Sequence, residues 1–223
     1  QADSYDTANQ GRRRLIETLL RYELWEDAVA LADSFYLEPT ELGMEQAQRA
    51  RLLGIACFSL GRMDEGKAQI EALDAAAKVL RVERAAVMDA AEAKARTDKK
   101  SEEDARKAMK DVLDRYAQPF KTLDQWTAEL KVWAALPDGT LDGLTNQVAE
   151  LKTVSKERLS QVWLKLGATN LAETLAKEAV EAGTNQVQLL ANQADILWRL
   201  GKTNEAQEVF GKLRERSATL DLD

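Results

Sequence analysis

The sequence predicts an all-α protein of antiparallel helix hairpins, with a long helical hairpin inserted between two blocks of repeats. Three observations predict it. Two segments near the C-terminal end share one layout: Val162-Trp163-Leu164-Lys165-Leu166-Gly167 leads to Leu171-Ala172-Glu173, and Ile196-Leu197-Trp198-Arg199-Leu200-Gly201 leads to Asn204-Glu205-Ala206. Their glycines stand 34 residues apart, a period of stacked helix-turn-helix units. Only 11 of the 223 residues are Gly and 3 are Pro, so little interrupts helix formation. Apolar residues recur every three or four positions through most of the chain, which places them on one side of a helix.

These segments resemble the tetratricopeptide repeat family, whose unit sets a turn-forming residue between two antiparallel helices. The resemblance implies a right-handed solenoid in which Ala172 and Ala206, five residues after each turn glycine, let the two helices of a unit cross closely. It implies packing roles for Ala194 and Ser160 on the first helices, and for Phe210 and its counterpart Ala176 on the second. The proline that usually ends a unit is absent after Ala182, where Gly183 stands as helix stop.

In chain order, residues 1–11 are polar and expected to be frayed. Residues 12–73 form an N-terminal repeat pair. Leu15, Ile16, Leu19, Leu20 and Tyr22 recur at helical spacing, and after a short turn so do Trp25, Ala28, Val29, Leu31 and Ala32. By resemblance, Ala28 takes the crossing position and Glu23 the place of the turn glycine. Glu38-Pro39-Thr40 ends this hairpin, because the residue before proline avoids the helical region. The second unit carries Leu53-Gly54, Ala56, Gly61, Asp64-Glu65 and Ile70, with Gly66 in place of the crossing alanine, weakening the helix by about 1 kcal/mol.

Residues 74–136 form the hairpin arm, continuous with the preceding helix. Between Asp64 and Thr97 there is no proline and no glycine after Gly66, so one helix of some thirty residues is expected. Asp98-Lys99-Lys100 makes a polar turn. Ser101-Glu102-Glu103-Asp104 fits a capped first helical turn, with serine accepting from the backbone and carboxylates at the positive helix end; a metal site is the alternative use of these acids. Met109, Val112, Leu113, Tyr116, Phe120, Leu123, Trp126, Leu130 and Trp133 keep helical spacing through Pro119, as two nearly collinear helices or one kinked helix folding back on the long one. Such an arm is a spacer or an interaction surface. Residues 137–223 form the C-terminal repeat block, entered by the turn Pro137-Asp138-Gly139 and a short helix marked by Leu141, Leu144, Val148 and Leu151. The blocks could also form one continuous α-solenoid.

The function classes follow from what the chain carries and lacks. A net charge of −7 and a pI near 5.0, with no positive run longer than Arg12-Arg13-Arg14, point away from nucleic acid. No apolar run approaches the length needed to insert in a membrane. There is no histidine, which excludes Ser-His and Cys-His nucleophiles and histidine-bearing zinc sites. Cys57, the one cysteine, lies in an apolar helix as a small hydrophobe, so no internal disulfide forms. The five tryptophans are read as interhelical packing rather than a ligand cage. No catalytic, cofactor-binding or metal-binding residue is assigned. An enzyme working by paired carboxylates needs a cleft and a defined separation, and no carboxylate stands apart from the solvated helix faces.

The expected function is therefore a non-enzymatic scaffold that binds a protein or peptide on an inner face lined by first helices. Its candidate residues are Arg158, Gln161 and Lys165 of one unit and Asn192, Asp195 and Arg199 of the next. Some members of the family clamp a partner's terminal carboxylate with a lysine and two asparagines; the matching places here hold Glu157, Gln161 and Asn192, so clamping is not implied. The last forty residues are also similar to helical regions preceding thioredoxin-like domains in some bacterial envelope proteins. That similarity implies an accessory domain of a longer protein, without redox activity of its own since no C-x-x-C is present. A chain that starts at Gln1 rather than Met is expected of a processed form or an excised piece, in the cell envelope or the cytoplasm alike.

Overall fold

A computed structural model describes residues 2–139, 141–152, 154–183 and 186–220. Among them lie ten helices and no strand, with neighbouring helices packed together. The chain divides into two compact units, residues 1–134 and 135–223.

The first unit holds α1 (Ala2–Arg21), α2 (Trp25–Ala30), α3 (Gly43–Ser59), α4 (Met63–Thr97) and most of α5 (Glu102–Ala135). Helix α1 begins at Ala2, so residues 2–11 of the segment expected to be frayed are helical, residue 1 lying outside the described residues. Its polar residues include no proline, and Ala, Gln and Asn interrupt a helix little. Ile16, Leu19, Ala28, Leu37, Leu52 and Ala56 form a core, against which Leu15, Leu20, Trp25, Val29 and Leu31 pack.

Helix α2 is shorter than its apolar spacing suggests. It stops at Ala30, and polar side chains hold the carbonyls of the turns that follow. The buried Arg49 guanidinium donates to the carbonyls of Leu37 at 2.6 Å and Ala32 at 3.0 Å, and Ser34 Oγ donates to Leu31 O. Burial, and then the neighbouring Arg12 guanidinium, lower the Arg49 pKa.

Helix α3 is buried along most of Ala47 to Phe58, and its unbroken run without polar side chains, Leu52 to Phe58, is buried all round. Cys57 is buried there, and burial raises its thiol pKa. A Cβ on Gly54 would lie 2.6 Å from Leu130, and one on Gly66 would lie 2.5 Å from the Phe58 ring. Gly66 therefore makes room for an aromatic ring where an alanine would collide. Arg51 Nε donates to the fully buried Glu129 carboxylate at 2.7 Å while its guanidinium lies 5.4 Å from the Trp126 ring centroid, so α5 is anchored on α3.

Helix α5 is one helix and contains Pro119. The proline ring costs it a single backbone bond, the one the Arg115 carbonyl would accept. Arg84 and Arg81 of α4 lie 4.8 and 6.0 Å from the Phe120 ring centroid. The α5 start is capped as its residues suggest: Ser101 Oγ accepts the Asp104 N–H at 3.2 Å and donates to the Asp104 carboxylate at 2.7 Å, while Glu102 pairs with Arg106.

The second unit holds α6 (Leu141–Ala149), α7 (Lys156–Lys165), α8 (Thr169–Ala182), α9 (Val187–Arg199) and α10 (Thr203–Leu220). Leu144, Val148 and Leu151 are buried along α6 and just beyond it. Leu190, Ala194 and Leu197 of α9 form a core with Ala206 and Val209 of α10, joined by Val180 of α8 and Leu213.

Candidate functional site

The site is built on two helix pairs of like geometry. Gly167 and Gly201 sit at φ 79° and 74°, in the left-handed region that glycine enters without strain. Around Gly167, the Ala168 N–H bonds to Trp163 O and the Gly167 N–H to Leu164 O; around Gly201, the Lys202 N–H bonds to Leu197 O and the Gly201 N–H to Trp198 O. These are the two bonds of a Schellman helix end. Five residues after each glycine, Ala172 and Ala206 are buried where the helices cross. The turns at Glu23 (φ 52°) and Gly61 (φ 73°) carry the corresponding longer-range bond, Leu24 N–H to Leu19 O and Arg62 N–H to Cys57 O.

Helix α9 lies over one face of the α7/α8 pair. Asn192 Nδ2 donates to the buried Ser160 Oγ at 3.1 Å, and its Oδ1 accepts from Gln161 Nε2 at 2.6 Å. Val180 packs against the core that α9 forms with α10. Lys202, just past α9, bonds Glu173, and that hydrogen bond raises the lysine pKa.

This arrangement decides where the six candidate residues fall. Gln161 and Asn192 are brought together, but toward each other, tying α7 to α9. Arg158 is buried. Asp195 and Arg199 form an ion pair at 2.9 Å along α9, and Lys165 is exposed at the end of α7. The amide group that resembled one part of a carboxylate clamp is committed within the protein.

Sequence reasoning missed the apolar part of the surface. Trp163 is 7% exposed, as interhelical packing requires, but Trp198 is 63% exposed. The two differ by one place relative to the turn that follows: Trp163 precedes Gly167 by four residues and Trp198 precedes Gly201 by three. One residue is about 100° of helix rotation, so Leu197, not Trp198, takes the buried position. Phe210, expected to pack, is 60% exposed, whereas its counterpart Ala176 is fully buried. Counting back from the turn glycines would have revealed the Trp offset.

Trp198 and Phe210 face one open groove of about 680 Å³ between α9 and α10, with Ala191, Ala194, Gly211 and Leu213 lining it and Asp195, Gln207 and Arg214 at its polar edges. A Cβ added at Gly211 would meet nothing within 4 Å. Among the described residues no group of acidic or thiol side chains could hold a metal ion, and no helix is long and apolar enough to cross a membrane.

In comparisons with known proteins, no family model, curated protein or solved structure matches the chain.

Proposed function

We propose that this protein is a non-enzymatic interaction scaffold of tetratricopeptide-like helical repeats, and that its second unit holds a protein partner. The observation that carries this is the groove flanked by the exposed rings of Trp198 and Phe210. Large aromatic side chains left open to water on one contiguous face mark interaction sites, since covering them removes apolar area from water at about 25 cal/mol per Å². Supporting the repeat arrangement are the like turns at Gly61, Gly167 and Gly201 and the small, buried residues five places after them. The contact surface proposed is the apolar groove, with Asp195, paired to Arg199, among its lining residues.

Photo-crosslinking tests this. A benzoylphenylalanine replacing Phe210 in the full chain, irradiated in cells of the source organism, should yield a discrete crosslinked protein. The same residue replacing Val82, an exposed apolar position on α4, should not yield that product. No product at 210, or the same products at both positions, would overturn the proposal.

A further inference from the structure

The α7/α8 pair shows what such a face accepts. Several α7/α8 residues that meet α9 or the turn after it have counterparts 34 residues later that line the groove: Ser160 maps to Ala194, Gln161 to Asp195 and Glu173 to Gln207, and Val180, packed on the α9/α10 core, maps to Arg214. Ala176, on the same side of α8, maps to Phe210. One copy of this face is covered by a helix of the chain itself; the other is open.

From this correspondence, which rests on the interaction reading above, we infer that the groove is the docking site for a single amphipathic α-helix of a partner protein, seated on α9/α10 as α9 is seated on α7/α8. The residue differences between the two faces specify that helix. Ser160, which accepts from Asn192, is replaced by the buried Ala194, which carries no hydroxyl, so the incoming helix needs no amide at that point. Ala176 is replaced by Phe210, so a small residue, alanine or glycine, must lie opposite the ring for the helices to approach.

Charge supplies the remaining constraint. Asp195 is neutralised by Arg199. Arg214, in place of Val180, is exposed at the groove edge. The available charge is therefore positive, and the partner helix carries a carboxylate on the flank of its apolar stripe.

The test uses two fluorescein-labelled eighteen-residue helical peptides with the same leucine-alanine stripe, one flanked by glutamates and one by lysines, titrated with the full-length chain and read by anisotropy. The glutamate peptide should bind saturably. Phe210→Asp should weaken it at least about ten-fold, and Arg214→Glu should shift preference toward the lysine peptide, while Val82→Asp leaves binding unchanged. Far-UV circular dichroism and melting of Phe210→Asp should match the parent, since Phe210 is exposed. Failure of the glutamate peptide to saturate, or equal binding by Phe210→Asp, would overturn the inference. Sedimentation that finds a dimer dispersed by Phe210→Asp would also overturn it, assigning the face to a second copy. A crosslinked protein at position 210 without peptide binding would sink the helix assignment alone and leave the interaction scaffold standing.

Discussion

The pairs α7/α8 and α9/α10 share a turn, a crossing alanine and a hydrogen-bond pattern, yet one face is sealed and the other open. On the sealed face the polar residues Ser160 and Gln161 find partners on α9, and the side chain at the middle of the second helix has shrunk to Ala176. In the other pair the corresponding residues are the buried Ala194, the half-buried Asp195 and the exposed Phe210. A helix pair therefore owes its shape to its turn and crossing residues, while covering depends on the few side chains that point at the next layer. Conserving the first set and changing the second turns a packing surface into an exposed one.

Substitutions that exchange the two sets break this comparison most directly. Ala176→Phe, which places the open face's ring under α9, should cost about 3 kcal/mol of stability in urea denaturation, because a fully buried site has no room for it; a cost below about 1 kcal/mol would mean that α9 does not seal this face. Asn192→Ala removes the acceptor of Gln161 and the donor to buried Ser160, with an expected loss of about 1–2 kcal/mol.

Smaller effects sharpen the equivalence. Gly167→Ala and Gly201→Ala each force a Cβ into positive φ with open space around it, so both should lose about 1 kcal/mol, and by the same amount. Unequal losses would show that the two turns carry different strain. Phe210→Ala should change stability by less than about 0.5 kcal/mol, against the large penalty at Ala176.

Smallest is the Lys202–Glu173 bond. Lys202 is raised above its ordinary pKa of 10.5, so its contribution is present below that value and lost as pH climbs through the raised one. Lys202→Met should therefore melt slightly lower than the parent near neutral pH, by no more than about 2 °C, and the difference should close in strongly alkaline solution.

Much of the fold was legible from local chemistry. Left-handed turns at Gly61, Gly167 and Gly201 follow from glycine's freedom at positive φ, and the long helices on either side of Asp98-Lys99-Lys100 follow from an uninterrupted apolar period. The turns after α2 were not legible, because what holds their carbonyls is Arg49, a residue of the following helix reaching back to two of them. Of the site, its residues were within view but its character was not. Gln161 and Asn192 read as solvent-facing by type, and only the placement of α9 over α7 joins them.

Local sequence was enough for most of the helices and their glycine turns and for small residues five places after Gly61, Gly167 and Gly201, since these depend on backbone preference and on spacing within a few residues. Tertiary structure alone decided which helix faces are covered: whether an apolar side chain such as Trp198 or Phe210 is buried depends on a second helix arriving from elsewhere, and periodicity along one helix carries no information about that neighbour.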